Sequence, residues 1–183
     1  MVPLARSLLR TASRFLNPLF SLCSLVPVHA ADDERILRAI YSPYHVKNNR
    51  LKHQAYDPTP GTDEISTMRF EYMGARFCKK KAKSFEDPAN KKEYRGFAVL
   101  KVGRIRNAGM QVLDSRRWYC GHADIKLQMA ELTQQRQPQE PLSPQAGKQL
   151  KDLKDALLQA SNYLPDPDAR GDKWKGGKFQ AQA

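Results

Sequence analysis

Phe97-Ala98-Val99-Leu100-Lys101-Val102 is the stretch on which the fold turns. Apolar side chains follow one another there without alternation, so it reads as a central strand buried on both faces of a sheet. Working outward, residues 51–56, 65–70, 110–113 and 122–127 are further strand candidates. In the last of these, polar His122, Asp124 and Lys126 alternate with apolar Ala123, Ile125 and Leu127, the pattern of a half-buried strand.

Helical signals lie on either side. Over 32–40, acids fill a first turn, Ile36, Leu37 and Ile40 share one face, and Ser42-Pro43 is a stop, which predicts a short helix. Over 71–85, Ala75, Cys78, Ala82 and Phe85 recur at helical spacing. Ser143-Pro144 supplies an N-cap and first-turn pair, and Leu150, Leu153, Leu157 and Ala160 form the stripe of a helix that docks. Tyr163 to Pro167 reads as a helix stop and turn. Helix, short strands and a closing helix do not alternate as a doubly wound sheet would. The expectation is an α+β fold: a small mixed or antiparallel sheet with the C-terminal helix packed on it. The domain spans 31–164, and 165–183 reads as a flexible tail in which Trp174 is the residue able to pin part of it down.

The first 30 residues read as a cleavable signal peptide. Three arginines without an acid precede the apolar run 19–28, and Val28-His29-Ala30 provides small residues at −3 and −1, so the expected cut follows Ala30. The reading implies a secreted or periplasmic protein. The alternative is mitochondrial, since Arg6, Arg10 and Arg14 share one face of a helix in a Ser-containing, acid-free leader. No run approaches the ~20 apolar residues of a spanning helix, so the mature chain carries no transmembrane segment. Removing the leader takes Cys23 with it and leaves Cys78 and Cys120, an even pair that an oxidising compartment would bridge.

The 183 residues carry a formal net charge of +12. Residues 76–117 hold 13 basic and 4 acidic side chains, whereas 32–75 and 118–183 are nearly balanced. Lys79, Lys80, Lys81, Lys83, Arg104, Arg106, Arg116 and Arg117 are therefore the candidate anion-binding residues, with Tyr94, Trp118 and Tyr119 as stacking faces. The plainer reading of such a run is a solvated surface that keeps the protein soluble. The partner implied is an anionic polymer or an acidic protein surface; nucleic acid fits the charge, but no base-reading motif is present.

The chain lacks G-x-S-x-G, H-E-x-x-H, P-loop, G-x-G-x-x-G and C-x-x-C motifs, which removes motif-based enzyme classes without excluding catalysis. The remaining candidate is His122 with Asp124, two residues apart and hence on one strand face, where a carboxylate favours the protonated imidazole. A second histidine from the 45–53 region, His53, would complete acid–base cleavage of a phosphodiester. His122-x-Asp124 supplies only two metal ligands, so no metal site and no cofactor are expected. The leading expectation is a small exported basic protein that binds an anionic partner without catalysis. The alternatives are a His-dependent phosphodiester hydrolase and an inhibitor or adaptor docking on another protein.

Overall fold

The computed structural model describes residues 26–116, 119–134 and 141–181. Six strands form one antiparallel sheet in the order β6–β7–β4–β1–β5–β8. They are β1 (Arg35–Ser42), β4 (Glu64–Arg69), β5 (Glu93–Lys101), β6 (Gln111–Asp114), β7 (His122–Lys126) and β8 (Asn162–Pro165). A hairpin of β2 (Val46–Lys47) and β3 (Arg50–Leu51) and a 3-10 turn (His53–Tyr56) lie between β1 and β4. The helices are α1 (Phe70–Lys83), α2 (Val102–Asn107), α3 (Ala130–Gln134) and α4 (Pro144–Ala160). The fold is α+β, and the C-terminal helix α4 packs on the sheet as expected.

Residues 97–101 are the second half of β5, Val102 opens α2, and Phe97 through Leu100 are fully buried. The strand stands one place from the sheet edge; β1 and β4 occupy the centre. The predicted helix over 32–40 is a correction, because this segment is β1. Ile36 and Ile40 face one layer, Leu37, Ala39 and Tyr41 the other, so the spacing taken for one helix face is two strand faces, both buried. Tyr163 to Pro165, read as a turn, is β8, pairing with β5 through residues 96–99. Of the candidate over 51–56 only Leu51 is in a strand, and the rest is the 3-10 turn.

The alternation along β1, β4, β5 and β7 divides the core into two layers. On one face Ile36, Ile40, Ile65, Ala98, Leu100 and Ile125 meet α2 and α4. Ser143 caps α4 by accepting the Ala146 N–H at 3.2 Å. Leu157 on its stripe is wholly buried, which contributes about 2 kcal/mol. On the other face Leu37, Ala39, Met68, Phe97 and Val99 meet α1. A non-helical Gly74 at φ 71° kinks α1 after its first turn, a conformation that glycine adopts without steric cost.

Residues 166–181, expected to be loose, lie against this second face. The Trp174 and Phe179 rings stack 4.6 Å apart, and both reach Phe97. Lys79 secures the segment from α1: its ammonium lies 2.7 Å from Asp166 and donates to the carbonyls of Asp168 and Lys173 at 2.6 and 2.8 Å.

The expected Cys78–Cys120 bridge is not formed. Cys78 keeps its thiol in the core beneath α1, and the disulfide in which Cys120 takes part does not include it. Helical spacing buries the Cys78 side chain among the apolar neighbours of the layer beneath α1. The Arg6, Arg10 and Arg14 face lies outside the described residues.

Candidate functional site

Strand β7 places His122 and Asp124 on one face, and His122 Nδ1 lies 3.8 Å from Asp124 Oδ2. The Ser115 hydroxyl comes within 2.7 Å of the same Nδ1, and the Ser115 carbonyl within 3.2 Å. A nucleophile relay requires the serine on one ring nitrogen and the carboxylate on the other. Here both crowd Nδ1, so the three residues do not form that relay. His122 and Asp124 are only 5% and 3% exposed, and the Tyr119 ring closes over the imidazole edge-on at 5.0 Å. Burial pushes the Tyr119 hydroxyl above its ordinary range. Backbone bonds from Ser115 to His122 and from His122 to Tyr119 complete a clasp around the β6–β7 connection.

The second histidine is elsewhere. His53 sits on the 3-10 turn against α4, with Nε2 3.3 Å from Asp155. That is the opposite face of the sheet from His122, so the two do not meet over one substrate. Among the described residues no group of three or more His, Cys, Asp or Glu is arranged to hold a metal ion.

The cations of the middle segment separate in the same way. Lys79, Lys80, Lys81 and Lys83 are on α1, on one side of the sheet, whereas Arg104 and Arg106 are on α2, on the other. Lys79 is fully buried in its pair with Asp166. Lys83 donates to the Arg170 carbonyl at 2.6 Å. Arg106 pairs with Asp32 and donates to the Ala30 carbonyl. Arg116 is paired with Asp114 at 2.7 Å. Lys81 lies over the Tyr119 and Phe85 rings at 4.7 and 4.9 Å, and the Tyr119 ring in turn packs on His122. Lys80 is exposed on α1. Tyr94, expected as a stacking face, is 1% exposed, so no ligand can stack on it. Arg117 and Trp118 lie outside the described residues. Lys79, Lys83, Arg106 and Arg116 thus hold distant segments to the body instead of facing one common partner.

A different set of cations surrounds the cleft. Between the β2–β3 hairpin and the β5–β8 edge lies an open cleft of about 750 Å3, lined among others by Lys47, Asn48, Asn49, Lys52, Arg95 and Tyr163. Asn48 and Asn49 both take positive φ, 51° and 57°, which lets a two-residue turn follow the twist of its strands. That turn projects Lys47 to one side of the opening. Lys52 anchors by donating to the Pro43 carbonyl at 3.0 Å, and Tyr163 donates to the Arg95 carbonyl at 3.3 Å. Arg95 is exposed beside Glu93. Neither Lys47 nor Lys52 has a carboxylate partner among the described residues. The Asp166 carboxylate in the wall is neutralised by Lys79.

Lys47 and Lys52 come from a stretch whose charges nearly cancel, so a tally of charge passes over them. The signal that could have found them is Asn48-Asn49 between Val46-Lys47 and Arg50-Leu51, a hairpin spacing. No protein-family model matches the chain, and neither does any curated protein or solved structure.

Proposed function

We propose that the protein is a non-catalytic binding protein that holds an anionic group of its partner in the cleft between the β2–β3 hairpin and the β5–β8 edge. One observation carries the reading: Lys47, Lys52 and Arg95 line a single opening, and two of these cations are unopposed by carboxylates among the described residues. Cations converging on a concave surface focus the field and attract phosphate or carboxylate groups. The asparagine amides and the Tyr163 ring add donors and a flat face, which suits a polyanion or an acidic protein segment. The hydrolase reading has less behind it, because His122 is buried against Ser115 and Tyr119 while His53 pairs on the other side of the sheet. The leader pattern supports an exported compartment, secreted or periplasmic, over a mitochondrial one.

Fluorescently labelled polyphosphate, titrated at several salt concentrations, tests the reading. Wild type should bind with affinity that falls steeply with salt. The triple variant Lys47→Ala, Lys52→Ala, Arg95→Ala should lower the log–log salt slope by roughly 2–3, about one for each phosphate that is no longer neutralised. Lys80→Ala on α1 should leave it unchanged. A triple variant that binds as wild type refutes the site, and binding indifferent to salt refutes electrostatic capture.

A further inference from the structure

Residues 26–30, the expected end of the removable leader, and Ala31 after them are seated in the folded body by an ion network at the end of β4. Arg69 is wholly buried and grips Glu34 with two parallel bonds, Nε to Oε2 at 3.0 Å and Nη2 to Oε1 at 2.8 Å. Its Nη1 reaches Asp114 Oδ2 at 2.9 Å and also donates to the carbonyl of Pro27. Arg116 binds the same Asp114 and donates from Nη2 to the Val26 carbonyl at 2.8 Å. Arg106 donates to the Ala30 carbonyl at 2.8 Å. Finally, the Ala31 amide donates to Glu34 Oε1 at 2.9 Å. Val26 and Ala30 are 2% and 5% exposed, and Ala30 belongs to the core layer under α2 and α4.

Three guanidinium groups therefore use backbone carbonyls of this short segment as acceptors. In this network two buried carboxylates, Glu34 and Asp114, balance two guanidiniums, the buried Arg69 and the partly exposed Arg116. A cut after Ala30 would change both features at once. Carbonyls of residues 26–30 would leave, taking away acceptors that Arg69, Arg116 and Arg106 use, and hydrogen bonds made by charged groups are among the stronger ones. The neutral Ala31 amide would become an ammonium competing with Arg69 for Glu34, a third cation against two carboxylates.

We infer that the chain stays intact from Val26 through Ala31, and that any cut removing a leader falls N-terminal to Val26. The five residues from Val26 to Ala30 are then part of the mature domain, supplying acceptors for its buried arginine.

The full-length chain, expressed in a host that exports it and recovered from the exported fraction, should have its N-terminus determined by intact mass and Edman sequencing. A start at Val26 or earlier, the initiator methionine included, is the expected result. A start at any residue from Pro27 to Ala31 overturns the inference. Hydrogen exchange on the same purified protein gives a second readout. The Ala31 amide should exchange at least about tenfold more slowly than an unstructured amide, the factor given by about 1.4 kcal/mol of local stability. Exchange at the unstructured rate in a chain that still carries residues 26–30 also overturns it, because the segment would then not be held.

Discussion

Replacing Arg69 by Met is the perturbation with the largest consequence. The methionine fills much of the same volume but leaves the Glu34 and Asp114 side chains, 1% and 3% exposed, without their central cation. Removing one partner of a buried ion pair costs about 3–5 kcal/mol, because the remaining charge is neither solvated nor compensated. The two carboxylates do not suffer equally. Asp114 retains Arg116, which is 29% exposed and bonded to it through Nε and Nη2. Among the described residues Glu34 retains only weak neutral donors, the Ala31 amide and the Tyr72 hydroxyl at 3.5 Å. The expected loss is thus about 4 kcal/mol, dominated by Glu34. For a chain of this size that is a fall in Tm of roughly 8–16 °C, measurable by urea unfolding and by thermal circular dichroism at neutral pH. Adding Glu34→Gln to Arg69→Met removes the stranded charge and should recover roughly 2 kcal/mol, a coupling that a double-mutant cycle reads directly. A loss below about 1 kcal/mol, the worth of an exposed pair, or simple additivity of the two substitutions, would refute the reasoning.

Lys79→Met strands Asp166 and two carbonyls of the C-terminal segment; it should cost about 3 kcal/mol and speed tryptic cleavage between Arg170 and Lys175, and unchanged cleavage would count against the tether. Burial, seconded by Arg38, holds His45 at about 4. Because the unfolded chain takes up that proton near pH 6.5, stability present above pH 6.5 is lost as the pH falls towards 4, by up to about 3 kcal/mol. His45→Phe should flatten the pH dependence of unfolding in that window, and an unaltered profile would refute the assignment. Gly96→Ala should destabilise by roughly 2 kcal/mol or more, since Gly96 sits at φ 143° and a Cβ there meets the Leu164 carbonyl across the β5–β8 pair; a wild-type unfolding midpoint would show that the pair can shift.

Local signals were legible where one force acts on a short stretch. Ser143-Pro144 and the Leu150–Leu153–Leu157 spacing lead to α4 because capping and amphipathic periodicity are written within one helix. The strand pattern of 122–127 places His122 and Asp124 on one face for the same reason. Residues 32–40 mislead because Ile36, Leu37 and Ile40 fit a helix stripe as well as they fit two buried strand faces. The choice is made by β4 and β5, which pair with this segment from either side and are distant in sequence.

Chemistry divides along the same line. Composition and spacing, which are properties of neighbours along the chain, establish a basic protein, an α+β pattern and a strand that presents an imidazole beside a carboxylate. Which cations stay available is a matter of partners far apart in sequence: Lys79 is consumed by Asp166, Arg116 by Asp114, and Lys47 meets Lys52 and Arg95 only because β2, β3 and β5 converge at one end of the sheet. Coulomb energy depends on distance through space and on burial, and neither exists until the chain has folded.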